Sequence, residues 1–284
     1  MIMMSGKTIA VAMPEDSAHG VISAIVRMGG RPYYIPTIFM RMSECREAVA
    51  KLYNDLSSGA VDYVAFLSRN AFTYLVAAAS GLDIVEQLKS VPVISVGKKT
   101  SEFLESNGIK PSIIAARPGY AGIVDSLEHS AINGKRIVVI RNASAKNSMA
   151  TALLSAGASD VIEIGTYETR TMMDAAASRA FYGALSSRSI DAIIFGSGLE
   201  AEGMMEMLGI TPFSQRQASL LSGVLLAAIG DSTARAMASM GMAAEVVPDK
   251  CTFDDLVIAL DARLGADRPT ISDSHCDIAN PTSK

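Results

Sequence analysis

One repeat constrains this chain more than any motif does. Gly6-Lys7-Thr8-Ile9 returns as Gly134-Lys135-Arg136-Ile137 at an offset of 128 (134 minus 6), and Gly29 returns as Gly157 at the same offset. Asp62, Phe66 and Ser68 return as Asp191, Phe195 and Ser197 at 129, and Gly97, Thr100 and Gly108 as Gly230, Thr233 and Gly241 at 133. A period of this size belongs to a domain and not to a solenoid, and its slow drift marks small insertions. The chain therefore reads as two copies of one unit, starting near residues 6 and 134. Which copy of each strand enters which sheet is left open, and exchange between the halves is one solution.

Within each copy, strand-sized apolar runs alternate with helix-length segments. The runs fall at 8–13, 33–38, 63–67, 93–96, 112–115, 137–140, 161–164, 192–195, 225–229 and 244–247. Such alternation predicts an α/β fold of two similar, doubly wound parallel-sheet domains of the flavodoxin or Rossmann kind. The chain has 284 residues, 49% hydrophobic and 19% charged, enough for two cores with strands buried on both faces. Gly29 with Gly30, then Gly108, Gly157, Gly209 and Gly241 follow periodic segments, where helices end in a left-handed cap. The tail from Ala266 to Lys284 has no periodicity and is expected to be disordered.

Several classes of function are disfavoured. Apolar runs such as 224–229 are far short of the roughly 20 residues of a membrane span. Residues 1–7 lack the features of a secretory signal, so a cytoplasmic location is expected. Cys45, Cys251 and Cys276 have neither disulfide nor zinc spacing. His19, His129 and His275 are scattered, with no H-E-x-x-H. A net charge of −4 with no basic run argues against nucleic acid as a partner. Met13-Pro14-Glu15-Asp16 lacks the glycines of a dinucleotide loop, and there is no Walker A motif, so no cofactor is expected. Gly196-Ser197-Gly198 is not a nucleophile elbow, because Phe195 stands where the first glycine is needed. Glu200, Glu202 and Glu206 at helical spacing read as a solvated face, and Met237, Met240 and Met242 as packing.

The strand-to-helix junctions hold the polar constellation: Ser68-Arg69-Asn70, Lys98-Lys99-Thr100-Ser101, Arg141-Asn142-Ala143-Ser144, Gly196-Ser197-Gly198 and Asp231-Ser232-Thr233. Free N–H groups and the helix dipole favour an anion at such places, which in a doubly wound sheet border the ligand crevice. Any single junction is explained as well by helix capping. As a set, repeated in both halves, they fit a clamp for a molecule with several carboxylates or phosphates. Tyr167, in Gly165-Thr166-Tyr167-Glu168-Thr169-Arg170, follows a strand, and its phenol is a proton donor at neutral pH. A half-buried structural tyrosine fits that position equally.

These motifs in order resemble the uroporphyrinogen-III synthases of tetrapyrrole biosynthesis. The likeness is carried by Phe66 to Ala71 (FLSRNA), Ser95 to Thr100 (SVGKKT), Gly134 to Arg141 (GKRIVVIR), Thr166 to Thr169 (TYET), Phe195 to Ser197 and Ala228 to Ala234 (AIGDSTA), spread between about residues 6 and 263. The resemblance implies two α/β domains joined by a two-stranded linker, residues 1–38 with 169–265 forming one and 39–168 the other, with Tyr167 beside the linker and facing the cleft.

The implied substrate is hydroxymethylbilane, a linear tetrapyrrole with many carboxylates. It is closed to uroporphyrinogen III through an azafulvene and a spiro intermediate that inverts the last ring. Pyrrole nitrogens drive these steps, so the protein needs only to pose the chain ends and stabilise charge. By the same resemblance Tyr167 assists departure of the hydroxyl. Ser68, Thr100, Ser197, Ser232 and Thr233 bind propionate or acetate groups, and the junctions add Arg69, Asn70, Arg141, Asn142 and Gly198 to the binding set. Met13-Pro14 replaces the family's Arg-Pro pair, and Phe195-Gly196-Ser197-Gly198 its usual Thr-Ser-Pro. A monomer is expected. The competing reading is a non-catalytic two-domain sensor or solute-binding module, which leaves TYET, SVGKKT and AIGDST unexplained; a nucleotide-dependent transferase lacks its phosphate signature.

Overall fold

The computed structural model describes residues 4–116, 120–127, 132–145 and 149–266. His129, His275, Cys276 and the tail from 267 onward lie outside them. The chain forms two compact units, one made of residues up to Ile38 and from Thr171 onward, the other of Phe39–Arg170.

In the first unit β1 (Thr8–Val11), β2 (Arg31–Tyr34), β9 (Ala192–Phe195) and β10 (Leu225–Ala228) form a parallel sheet in the order β10-β9-β1-β2. Alternate residues of one strand enter opposite cores: Ala10 packs with Ile193, Phe195 and Phe181, whereas Ile9 and Val11 pack with Ile194, Val21 and Leu260. A strand with both faces covered has no solvent side on which to place polar residues, and β9 and β10 are accordingly apolar from end to end.

The second unit is built in the same way. Its sheet runs β3-β8-β7-β4-β5-β6, from β3 (Ile38–Met42), β8 (Asp160–Thr171), β7 (Arg136–Asn142), β4 (Tyr63–Phe66), β5 (Val93–Ser95) and β6 (Ile113–Ile114). The pairs from β8 through β6 are parallel. Val64, Phe66, Val138 and Ile140 fill one face, Ala65, Ile137 and Val139 the other.

The two copies of the repeat are exchanged between the sheets. The first strand of copy one, β1, lies beside β9 of copy two, and the first strand of copy two, β7, lies beside β4 of copy one. The same polar anchor holds each graft. Asp191 accepts the Thr8 backbone N–H and Lys7 Nζ, both at 2.8 Å. Asp62 accepts the Arg136 backbone N–H and Lys135 Nζ, both at 2.9 Å.

Three sequence expectations need correction. The apolar run 33–38 is not one strand: β2 ends at Tyr34 and β3 begins at Ile38, with Pro36, which has no N–H to give a ladder, in the gap. The run 161–164 is the start of a twelve-residue strand, β8. The run 244–247 makes only a single bridge, Ala227 to Val246, before Pro248.

Candidate functional site

In the second unit the strand order changes direction between β7 and β4, because β8 follows β7 to one side and β5 follows β4 to the other. Ligand sites of doubly wound sheets lie at the carboxyl ends flanking such a switch. There β4 delivers Ser68 and β7 delivers Asn142. Ser68 caps the helix Arg69–Ala78, its Oγ accepting the Ala71 N–H at 3.0 Å. The same Oγ lies 3.1 Å from the Tyr167 hydroxyl, and the Asn142 side chain also hydrogen-bonds that phenol.

A β-bulge aims Tyr167 at them. Arg141 pairs with Gly165 and Asn142 with Tyr167, so Thr166 is one residue too many on β8. The extra residue breaks the two-residue alternation, and Thr166 and Tyr167 are buried in succession; bulges commonly re-aim a side chain in this way. Gly165 permits the bulge, since a Cβ there would stand 2.6 Å from Ala143 Cβ.

Each residue of Thr166-Tyr167-Glu168-Thr169 then has its own tether. Thr166 Oγ1 donates to Ala71 O at 3.0 Å. The Tyr167 ring stacks on Tyr74, centroids 5.3 Å apart, and Tyr74 donates to Met40 O. Glu168 accepts Arg41 and, at 2.7 Å, Arg170, which hold its carboxyl below the usual range. Thr169 Oγ1 accepts Asn142 Nδ2 at 2.9 Å. Burial pushes the Tyr167 phenol above its ordinary value, and the bonds from Ser68 and Asn142 offset only part of the shift. The phenol therefore keeps its proton throughout the neutral range.

The other expected residues fare differently. Arg69 is exposed at the first position of its helix, and Asn70 Nδ2 is turned to Met40 Sδ. Thr100 is buried in the helix Lys98–Ser106, which starts after Gly97 at φ 144°. Arg141 is buried and committed to Glu163 and Ala145 O. Burial opposes ionisation of Glu163, but the N–H groups of Met149 and Ala150 and the Arg141 guanidinium outweigh it and hold the carboxyl low. Arg141 is thus a tie within the unit, not a free cation.

In the first unit Ser197 caps the helix Gly198–Met207, accepting the Glu200 N–H at 3.4 Å, the counterpart of Ser68 and Ala71. Gly198 is a packing residue, since a Cβ there would fall 2.5 Å from Ala236 Cβ. In the helix Asp231–Ala238, Ser232 is exposed and Thr233 buried. The solvated-face reading of Glu200 is wrong. Its side chain is buried and accepts the Gly196 N–H at 2.6 Å. Burial raises its pKa from 4.5 to about 7 against the bonds from Gly196 and Ser197. Ser197-x-x-Glu200 is a capping box, a signal present in the sequence and hidden by the spacing of three glutamates. Tyr74, Glu163 and Gly165 carried no local signal of their own.

Among the described residues, no cluster of His, Cys, Asp and Glu has the makings of a metal site, and no helix is long and apolar enough to cross a membrane.

Known proteins share this fold. A uroporphyrinogen III synthase of Thermus thermophilus, solved as a triple mutant, superposes with a TM-score of 0.66 at 17% identity, over 92% of this chain and 100% of that one. A relative from Methanothermobacter thermautotrophicus is 24% identical over 264 residues, 91% of this chain and 99% of that protein. A uroporphyrinogen-III synthase of Chlorobaculum parvum is 22% identical over 247 residues, 86% and 93% of the two chains. The family model for uroporphyrinogen-III synthase HemD matches residues 21–258, and the chain belongs to the uroporphyrinogen-III synthase family.

Proposed function

We propose that this chain closes hydroxymethylbilane to uroporphyrinogen III and that Tyr167 is the acid that starts the reaction. The observation that carries the assignment of the acid is the phenol itself, buried, hydrogen-bonded to Ser68 and Asn142, and kept protonated. As the carbon–oxygen bond of the terminal hydroxymethyl group breaks, electrons flow from its pyrrole nitrogen. The phenol proton passes to the departing oxygen, and loss of water leaves an azafulvenium cation opposite the phenolate. The last ring then attacks through its substituted carbon, and the spiro intermediate fragments and recloses. The Ser68 and Asn142 bonds stabilise the transient phenolate, which recovers a proton when the final ring carbon loses its own.

Carboxylates of the substrate are bound by the junction loops, with Ser68, Arg69, Asn70, Thr100 and Asn142 in one unit and Ser197, Gly198, Ser232 and Thr233 in the other. Arg141 acts indirectly, by holding Glu163 and the loop that follows β7. In this reading the enzyme is a cytoplasmic monomer that needs no cofactor. Family membership favours it over a binding module without catalysis.

The test is to incubate the purified chain with freshly generated hydroxymethylbilane and to separate the oxidised products by isomer. Predominance of isomer III is expected. Only the spontaneous isomer I, from protein shown to be folded, would overturn the proposal.

A further inference from the structure

The second copy of the repeat departs from the first at one position that the synthase reaction does not use. Leu56-Ser57-Ser58-Gly59-Ala60-Val61-Asp62 aligns with Leu185-Ser186-Ser187-Arg188-Ser189-Ile190-Asp191 at the offset of 129 (188 minus 59). Gly59 has φ 69° and Arg188 φ 57°, each directly after a helix C-cap, Ser58 or Ser187. Glycine takes this left-handed backbone freely, whereas a residue with a Cβ is strained in it. Copy two thus keeps an arginine where copy one shows that a glycine suffices. Strained positions of this kind persist where a side chain has a use.

Arg188 lines a cavity of about 200 Å3 at the helices Ala175–Ser186 and Gln215–Leu221, together with Tyr182, Ser186, Arg216 and Ser219. At roughly 30 Å3 per water, that holds half a dozen waters or one hydrated oxyanion. Arg216 is positioned over the Tyr182 ring, its Cζ 5.1 Å from the centroid. Gly223, at φ 77°, leaves room for Arg188, whose Nη1 would lie 3.4 Å from any Cβ there. Among the described residues no carboxylate pairs with either guanidinium. Asp191, which borders the adjoining cavity with Arg188, is already taken by Lys7 and the Thr8 N–H. Two planar forks, the hydroxyls of Tyr182, Ser186 and Ser219 and no acidic residue in the lining fit an anion with several oxygens.

We propose that this cavity, in the unit that does not contain Tyr167, binds a small, doubly charged oxyanion of the phosphate type, held between Arg188 and Arg216. Free phosphate and the phosphoryl group of a larger ligand share that chemistry.

The experiment is thermal unfolding and calorimetric titration of the full chain with inorganic phosphate, against sodium chloride at equal ionic strength. Phosphate is expected to raise the melting temperature where chloride does not. Arg188→Gly, which copies Gly59, should melt higher than the parent in chloride and lose the phosphate increment. Arg216→Ala, at an exposed helix position, should weaken phosphate by roughly ten-fold or more. Phenyl phosphate binding more tightly than phosphate would identify a phosphorylated ligand, and equal binding a free anion. Equal responses of the parent to phosphate and chloride would overturn the proposal, as would an unaltered phosphate response in either variant.

Discussion

Ser68 Oγ lies 3.1 Å from the Tyr167 hydroxyl, a contact between residues 99 positions apart, and the same oxygen caps the helix that follows it. One hydroxyl therefore both starts a helix and orients the proposed acid. Replacing Tyr167 by Phe removes the transferable proton but keeps the ring on Tyr74, so turnover should fall by roughly 10- to 100-fold with KM little changed. Steady-state formation of isomer III measures this, and an unchanged turnover would remove the acid role. Because the phenol titrates above its ordinary value, the activity of the parent should show no loss from phenol ionisation between pH 7 and 9.

Gly165→Ala tests the bulge. Its Cβ would stand 2.6 Å from Ala143 Cβ, and relieving such an overlap costs about 1–3 kcal/mol. Activity should fall as well, since the strand that must shift carries Tyr167. Ala143→Gly in the same chain should restore part of both losses. Denaturant midpoints and isomer III rates read them, and failure of the second change to help would place the strain on the Ala143 backbone, whose Cα would lie 2.8 Å from the new Cβ.

Glu200 makes stability depend on pH in an unusual direction for a carboxylate. Its folded-state pKa, about 7, lies above the ordinary 4.5. The stability it confers is complete below about pH 4.5 and is lost as pH rises through about 7. Glu200→Gln mimics the protonated form, so relative to the parent it should gain up to about 3 kcal/mol between pH 5 and pH 8. Unfolding curves at the two pH values test this; a difference independent of pH would show that Glu200 titrates normally.

Asp62 and Asp191 anchor the exchanged strands alike, so Asp62→Asn and Asp191→Asn should each cost about 1 kcal/mol at neutral pH. The hydrogen bond from Lys135 and that from the Arg136 N–H depress the Asp62 pKa. Its contribution is therefore present above the ordinary value near pH 4 and vanishes as pH falls through the lower, folded-state value. Sharing no partner, the two changes should add. Equilibrium unfolding of the single and double variants decides it, and a strongly unequal pair would break the equivalence of the anchors.

The repeat made much of the fold legible, because matched residues such as Ser68 and Ser197 recur only if strand and helix meet at the same point in both copies. Ala192–Phe195 could be read directly, since a strand buried on both faces is apolar from end to end. Residues 33–38 misled because their aromatic and β-branched side chains suit a strand, and the break was signalled only by Pro36, which has no N–H to give a ladder. At the site, Tyr167 and Ser68 were legible through motifs. Tyr74, which stacks on Tyr167, and Glu163, which captures Arg141, were not, because each partnership joins distant segments and leaves no spacing to recognise. Glu200 was misread because its spacing to Glu202 and Glu206 was weighed, and its spacing to Ser197 was not.

The exchanged first strands also set a timetable for synthesis. Phe39–Arg170 is one continuous stretch and can collapse as soon as it emerges. The segment up to Ile38 precedes it and brings β2 to lie beside β1, yet the other neighbour of β1 comes only when residues 192–195 arrive and the sheet is finished only at Ala228. Those 190 intervening residues (228 minus 38) take on the order of 10–40 s at about 5–20 residues per second. During that wait the edge of β1 that β9 covers in the finished sheet stays open, so this segment, which precedes Phe39–Arg170 in the chain, is sheltered after it and is the one more in need of a chaperone.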